Sequence, residues 1–414
     1  MQPGAISIER NVISRRTAQA VPRLSIVMPC LNEAETLASC IRKAHHALFE
    51  LALPYEILIA DNGSLDGSQA IARKNGARVI SVAEKGYGSA LRGGISAAQA
   101  EWIIVGDADD SYDFGSIAPF VEKLEEGFDL VMGCRLPSGK GQIMKGAMPW
   151  KHRWIGNPVL TFLGRLFFKS PANDFHCGLR AFTKTGFARM NLSTTGMEFA
   201  SEMVIKATFG KLRIAEVPVT LHKDGRSRPP HLRSWRDGWR HLRFMLQHCP
   251  LWLFMMPALV VLFAGSAFGL RLLAGPIRIG NVAFDTNTLL VCAMSVVVGV
   301  QLVFFALFAR LFGAISGMLP ASARFSRLMS FLKLERGLIV GLGLMLGGAG
   351  LLLSEVVVWK KTGYGALSYS QSLRQVIPAI TLITTGVQFC FSSFLMSMLS
   401  LPKGIREKTG LTGL

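Results

Sequence analysis

The sequence predicts two fold classes in series: an α/β domain with a mostly parallel, doubly wound sheet, then amphipathic interfacial helices and an α-helical transmembrane domain. Three observations carry this. Short apolar runs alternate with amphipathic stretches between residues 24 and 106, the pattern of strands joined by helical crossovers. Acidic residues close two of those runs, at Asp61 and Asp107. Four apolar stretches, near 251–274, 287–312, 337–358 and 376–401, each hold the ~20 residues a bilayer-spanning helix needs.

Leu24-Ser25-Ile26-Val27-Met28 reads as a buried strand closed by Pro29. Asn32 and Glu33 then open a helix to about Glu50, with Leu37, Ile41, Ala44 and Leu48 on one face. Residues 55–60 form a second strand, running into the turn Asp61-Asn62-Gly63-Ser64-Leu65-Asp66-Gly67 that starts the next helix. A third strand at 77–82 leads to Glu84-Lys85-Gly86-Tyr87-Gly88 and a helix through Ala100. Glycine lets the backbone approach a ligand closely here, and Lys85 or Arg92 offers positive charge to a phosphate.

The fourth strand, 102–106, delivers Asp107-Ala108-Asp109. Two carboxylates one residue apart at a strand exit make a hard-oxygen site suited to Mg²⁺ or Mn²⁺, with positions left open for nucleotide phosphates. Ligands of doubly wound sheets bind beyond the strand carboxyl ends, where both Asp61 and Asp107 fall.

The chain of 414 residues is long enough for two domains and carries a net charge of +18, with 50% hydrophobic residues and a mean hydropathy of +0.36. The charge does not point to nucleic acid. Arginines beside apolar stretches, facing anionic membrane lipids, account for much of it. Arg233, Arg236, Arg240 and Arg243 precede the first stretch, Arg310 to Arg336 fill the second connection, and Lys403, Arg406 and Lys408 follow the last. The positive-inside rule puts the N-terminal domain, the middle loop and the C-terminus in the cytoplasm, in a multi-pass protein of an inner or plasma membrane. The seven cysteines show no metal or redox spacing and read as reduced, buried thiols.

The expected boundaries are a flexible tail (1–22), the α/β domain (23–230), an interfacial helix (231–249), a transmembrane domain (250–401) with a second interfacial helix at 320–336, and a cytoplasmic tail (402–414). In the first interfacial helix, arginines run beside a stripe of Trp235, Trp239, Leu242 and Leu246. The second sets Phe325, Leu328 and Leu332 against Arg324 and Arg327. Both would seat a site at the bilayer surface. Gly337, Gly341, Gly343 and Gly347 on the third span have the spacing of close helix packing, within the chain or in a homo-oligomer.

The motifs in chain order resemble those of inverting nucleotide-sugar glycosyltransferases with the GT-A fold, a Rossmann-like class. They resemble in particular the dolichyl- and polyprenyl-phosphate glycosyltransferases typified by dolichyl-phosphate mannose synthase. The resemblance covers about residues 22–248. Met28-Pro29-Cys30-Leu31-Asn32-Glu33 matches "P-x-x-N-E", the 61–67 turn matches "D-D-G-S-x-D-G", and Asp107-Ala108-Asp109 matches "D-A-D". Leu130-Val131-Met132-Gly133-Cys134-Arg135 is similar to "V-x-G-S-R", and Asp174-Phe175-His176-Cys177-Gly178-Leu179-Arg180 to "D-x-x-S-G-F-R". Asn62 replaces the second aspartate of the first acidic pair, Cys177 replaces a serine, and Ser111 replaces a metal-shell glutamine.

The resemblance implies a donor nucleotide site built from Pro29, Asn32, Glu33, Asp61, Lys85, Gly86, Asp107, Ala108, Asp109 and Arg226, the last on the basic loop Asp224-Gly225-Arg226-Ser227-Arg228. Asp107 and Asp109 would hold the metal; with Arg135 they form the catalytic set. Arg135 and Arg153 would take an acceptor phosphate, a role that suits the planar, bidentate guanidinium. The activity implied is transfer of a hexose from a UDP- or GDP-sugar to polyprenyl phosphate at the cytoplasmic face. A lipid phosphate is already ionised and needs no general base, whereas a hydroxyl acceptor does. Glu198 and Glu202, four apart, suit donor-sugar positioning or a structural face; in an enzyme acting on a hydroxyl-bearing lipid or glycan, one would be the base. A catalytically silent membrane scaffold is the remaining alternative.

Overall fold

The computed structural model describes residues 21–228, 234–320 and 322–400. Residues 1–20 of the expected N-terminal tail, the expected C-terminal tail, and Arg233, Lys403, Arg406 and Lys408 lie outside the described residues. The chain divides into two compact units, Met1–Met245 and Leu246–Leu414.

The first unit is built on a seven-stranded sheet: β1 (Leu24–Cys30), β2 (Tyr55–Asp61), β3 (Arg78–Ser81), β4 (Trp102–Val105), β5 (Leu130–Cys134), β6 (Arg180–Thr183) and β7 (Ile214–Pro218), in the spatial order β3-β2-β1-β4-β6-β5-β7. β1 sits between β2 and β4 and runs parallel to both, with Cys30 beside Asp61 and Val27 beside Val105. Its residues Leu24, Ile26, Val27 and Met28 are fully buried, as expected for a strand covered on both faces. The strand order reverses at β1, so a crevice opens beyond its carboxyl end. β6 runs antiparallel between β4 and β5. That reversal brings the start of β6 to the same rim as the ends of β4 and β5.

The first helix differs from the sequence expectation. It spans Leu37–Glu50, not a stretch opened by Asn32. Asn32 has a positive φ of 59°, a left-handed conformation that Asn tolerates. Its side chain accepts from the Leu65 amide, and its own amide donates to Ser64 Oγ. The residue thus joins two loops before the helix can begin.

The helix Ser234–Gln247 buries Asp237, His241, Phe244 and Met245, and exposes Trp235 and Trp239. Its arginines Arg236, Arg240 and Arg243 are exposed as well.

In the second unit, among the described residues, four helices are long and apolar enough to cross a membrane: Leu251–Leu273, Thr286–Ile315, Leu334–Lys361 and Tyr369–Leu399. The short helix Ala323–Phe331 precedes the third. Gly337 and Gly341 face the fourth helix at Ser393, Cys390 and Gly386, so a side chain there would collide with it. Gly343 and Gly347 meet nothing within 4 Å and point away from that packing. The expected glycine set is therefore split between an inner and an outer face.

Candidate active site

The three strand ends converge as the fold class requires. Asp61 ends β2 and is 1% exposed. Its carboxylate accepts from the amides of Gly63 and Ser64 and from Gln69 Nε2 at 2.7 Å. Much of its capacity therefore holds the 61–67 turn.

Asn62 does what an aspartate could not. Its Nδ2 donates to the carbonyls of Val82 and Glu84 at 3.0 and 2.8 Å, while Oδ1 accepts from the Gly86 amide. Lys85 Nζ donates to the Asn62 carbonyl at 2.6 Å. Gly86 has φ +134°, and a Cβ there would strike the Thr195 carbonyl. The glycine turn is thus fixed from both sides, at the start of the helix Tyr87–Ala97.

Asp107 and Asp109 leave β4 on its crevice side. Tyr87 Oη donates to Asp107 Oδ1 at 2.9 Å. Burial, and then the charge of Asp109, push the Asp107 carboxyl up to about 7. Asp109 Oδ1 accepts from the Ser111 hydroxyl and amide. Its Oδ2 accepts from Arg226 Nη2 at 2.8 Å. Ala108 is buried, and its carbonyl accepts from Thr36 Oγ1.

Two crowded carboxylates, one disfavoured as an anion and the other already drawing a guanidinium, fit a divalent cation. Among the described residues no cluster of three or more His, Cys, Asp or Glu side chains could hold a metal. A cation here would have two protein carboxylates and complete its shell with phosphate and water, the habit of Mg²⁺.

Glu33 is buried 6% exposed beside this pair. Its Oε1 pairs with Arg226 at 3.2 Å and Arg228 at 2.9 Å, while Oε2 is buried with no partner. Burial pushes its carboxyl up against the pull of both arginines. The basic loop is also tied at Ser227, whose amide donates to Glu35. Pro29 stands one residue before the end of β1. The donor-site residues named from the sequence, Arg226 included, thus gather at one rim.

Arg135 is placed differently from expectation. Arg135 is 6% exposed, and its Nε and Nη2 close bidentately on Asp174 at 2.7 and 2.8 Å. It is a buried ion pair, not a free phosphate ligand. Burial of Asp174 opposes ionisation, but the guanidinium wins and holds that carboxyl at about 2. Nη1 of Arg135 reaches Tyr112 Oη at 3.3 Å, which in turn accepts from the Gly178 amide. A side chain at Gly178 would collide with Asp107, so this pair backs directly onto the acidic site. Arg153 lies on the helical turn His152–Gly156, its guanidinium 5.4 Å from the Trp154 ring centroid.

Sequence reasoning missed Tyr87, Tyr112 and Arg180. Arg180 is buried and donates to the carbonyls of Cys177, Ala200 and Phe175, clamping the loop before β6. Glu202 is buried beneath bonds from Ser193, Thr194 and Lys206. Burial raises its carboxyl, yet the Lys206 and Thr194 bonds overcome this and leave it below the usual range. It is a structural residue. Glu198, at the start of the same helix, keeps Oε2 buried and unpartnered. His176 and His241 share Ser201 Oγ at 3.3 and 2.8 Å. Burial pushes both imidazoles down, His241 to about 4, so neither carries charge near neutrality.

A doubly wound sheet with an acidic pair and a basic loop at its switch point, joined to membrane-spanning helices, defines a membrane-anchored enzyme handling a nucleotide-type donor. Residues 25–189 match the family model "Glycosyl transferase family 2", and residues 307–400 match "Glycosyltransferase family 2 C-terminal transmembrane region". The chain is 35% identical to the low-salt glycan biosynthesis hexosyltransferase Agl6 of Haloferax volcanii, over 91% of this chain and 89% of that protein. It belongs to glycosyltransferase family 2 and is an integral membrane glycosyltransferase. A dolichyl-phosphate hexose transferase of the same organism is 28% identical over 47% of this chain and 81% of its own length. The crystal structure of glucosyl-3-phosphoglycerate synthase from Mycobacterium tuberculosis, solved with Mn²⁺ and UDP, is similar with a TM-score of 0.44. Its identity is 22%, covering 57% of this chain and 82% of that one.

Proposed function

We propose that this enzyme moves a hexose from a UDP- or GDP-sugar to polyprenyl phosphate at the cytoplasmic face of an inner or plasma membrane, with inversion and with Mg²⁺ or Mn²⁺. The observation that carries the donor half is Arg226, held between Glu33 and Asp109. Carboxylates for a cation and a guanidinium for a diphosphate already share one place. Bound by Asp107 and Asp109, the cation would act as a Lewis acid on the departing diphosphate. Arg226 would add a bidentate hydrogen-bonding fork for the same phosphates. The fixed turn at Lys85 and Gly86 presents backbone to the nucleotide, with Asp61 and Asn32 holding the neighbouring loop.

On the acceptor side, a lipid phosphate attacks without losing a proton, and the residues near the site suit that. Glu202 is held by structural bonds, and His176 and His241 both contact Ser201 Oγ, His176 through Nε2 while its Nδ1 is buried without a partner. Arg135 contributes positive potential from behind Asp107 and fixes the 174–178 loop through Asp174. Arg153 is the exposed-side candidate for the acceptor phosphate. Support for the lipid also comes from the relative named a dolichyl-phosphate hexose transferase. Purified enzyme, radiolabelled nucleotide sugars and undecaprenyl phosphate should give an extractable glycolipid that EDTA abolishes. Glycosylation only of hydroxyl lipids such as diacylglycerol would overturn the acceptor assignment.

One observation favours a second reading. The buried, unpartnered oxygen of Glu198 suits a base for a hydroxyl acceptor. A basic limb in the pH–rate profile that disappears in Glu198→Gln would select it.

A further inference from the structure

The helix Leu37–Glu50 is committed on two sides. Leu37, Ile41, Ala44 and Leu48 bury one side in the core. A second row runs from Thr36, just before the helix, through Ser39, Cys40 and Lys43. Those positions, i, i+3, i+4 and i+7, fall on one side of a helix. All four meet the acidic loop that follows β4. Thr36 Oγ1 donates to the Ala108 carbonyl at 2.7 Å. Ser39 Oγ donates to Asp110 Oδ2 at 3.3 Å, and Cys40 Sγ lies 3.8 Å from Asp110 Oδ1. Lys43 Nζ closes on the same Oδ1 at 2.8 Å.

Asp110 has a φ of +62°, a left-handed conformation that aspartate tolerates without preferring it. A residue in such a conformation persists where its surroundings hold it. The turn divides two neighbouring carboxylates between two partners. Asp109 goes to Ser111 and Arg226, whereas Asp110 goes to the helix. The Asp109 carbonyl is tied as well, by the Gly225 amide at 3.0 Å. Among the bonds to Asp110, the one from Lys43 is the shortest and joins two full charges, which makes it the strongest of the set.

We propose that Lys43 and Asp110 are positioning residues for the metal-holding carboxylates: their ion pair fixes the left-handed turn that aims Asp109 into the crevice. They act through Asp109. The proposal rests on the reading that Asp107 and Asp109 hold a divalent cation. Groups that orient a metal's ligands are worth about tenfold or more in metal affinity. Charge and position predict opposite outcomes at Lys43. If the lysine mattered only as a nearby positive charge, its removal would relieve repulsion and tighten cation binding. If it holds Asp110, its removal frees the turn and weakens binding.

The test is calorimetric titration of manganese chloride into full-length, detergent-purified enzyme without nucleotide, at a temperature below the Tm of every variant. Lys43→Met should raise the Mn²⁺ Kd about tenfold. Asp110→Asn should do the same, and asparagine tolerates the positive φ, so the backbone can keep its path. The double variant should match the single ones within about threefold, because the two residues act as one unit. Lys123→Met is the control. It breaks a lysine–carboxylate pair of similar exposure, with the Lys123 side chain 36% exposed and that of Lys43 41%, and should leave the Kd at the parent value. Unchanged or tighter Mn²⁺ binding in Lys43→Met would overturn the proposal and leave the metal reading standing. Losses that add in the double variant, or an equal loss in Lys123→Met, would overturn it too. A parent enzyme that binds no Mn²⁺ would remove the metal reading and this proposal with it.

Discussion

Arg226 Nη2 donates to Asp109 Oδ2 at 2.8 Å, across 117 residues of sequence. The guanidinium stands where the acidic pair would draw a metal ion, so cation and arginine compete for the same oxygen. Arg226→Ala should therefore bind Mn²⁺ more tightly than the parent enzyme when no nucleotide is present, as read by calorimetry. The same variant should lose a charge-assisted contact to the donor, and its KM for nucleotide sugar should rise roughly tenfold or more. Weaker Mn²⁺ binding in the variant would contradict the competition.

The buried Asp107 carboxyl, held at about 7, has a sign that can be checked. Its folded value lies above the ordinary carboxylate range. The folded state therefore binds a proton that the unfolded state releases, and stability should fall as pH rises from about 4 to 7. A thermal melt series in EDTA should show this decline, and Asp107→Asn should flatten it. Mn²⁺ should also flatten it by favouring the anion. In the transfer assay, Asp107→Asn and Asp109→Asn should each cost roughly 100-fold or more in kcat/KM.

Asp174 behaves in the opposite sense. Its folded value of about 2 is below the ordinary range, so its stabilising contribution is present above about pH 4 and is lost as pH falls towards 2. Asp174→Ala leaves the Arg135 guanidinium buried without its carboxylate, a change that costs about 3–5 kcal/mol. Thermal denaturation should show a clear drop in Tm, and Arg135→Met with Asp174→Leu should recover much of it.

Asn62→Asp is a small change with a clear expected outcome. A carboxylate oxygen would face the carbonyls of Val82 and Glu84 where an amide now donates to both. Two lost hydrogen bonds and the new repulsion should cost about 1–3 kcal/mol. The expected readout is a raised KM for the donor with kcat less affected, since in the proposed function the Gly86 turn would hold the nucleotide and not the reacting carbon.

What could be read from the sequence was local. Alternating apolar runs revealed β1 to β4, and carboxylates at strand ends revealed Asp61, Asp107 and Asp109, because each pattern is complete within a few residues. The pairing of Arg135 with Asp174 spans 39 positions, and neither residue's neighbours announce the other. The phosphate role expected of Arg135 came from the family resemblance, which carried no sign of this partner. Asn62 did carry a signal: an amide where relatives have an acid implies that something nearby must be donated to, here two carbonyls. Tyr87 gave none beyond an aromatic side chain between two glycines. The reversed strand Arg180–Thr183 escaped because its antiparallel pairing with β4 and β5 is made far along the chain and leaves no mark on its own residues.

That reversed strand has a consequence for synthesis. β1 to β4 exist as a set once residue 105 has been made, yet β4 has no second neighbour until Arg180–Thr183 pairs with it. During the intervening 70-odd residues, at ribosomal speeds of about 5–20 residues per second, the chain holds an open sheet edge beside Asp107. Ribosome-stalled chains ending shortly before and shortly after β6 should therefore differ sharply in protease sensitivity at β4.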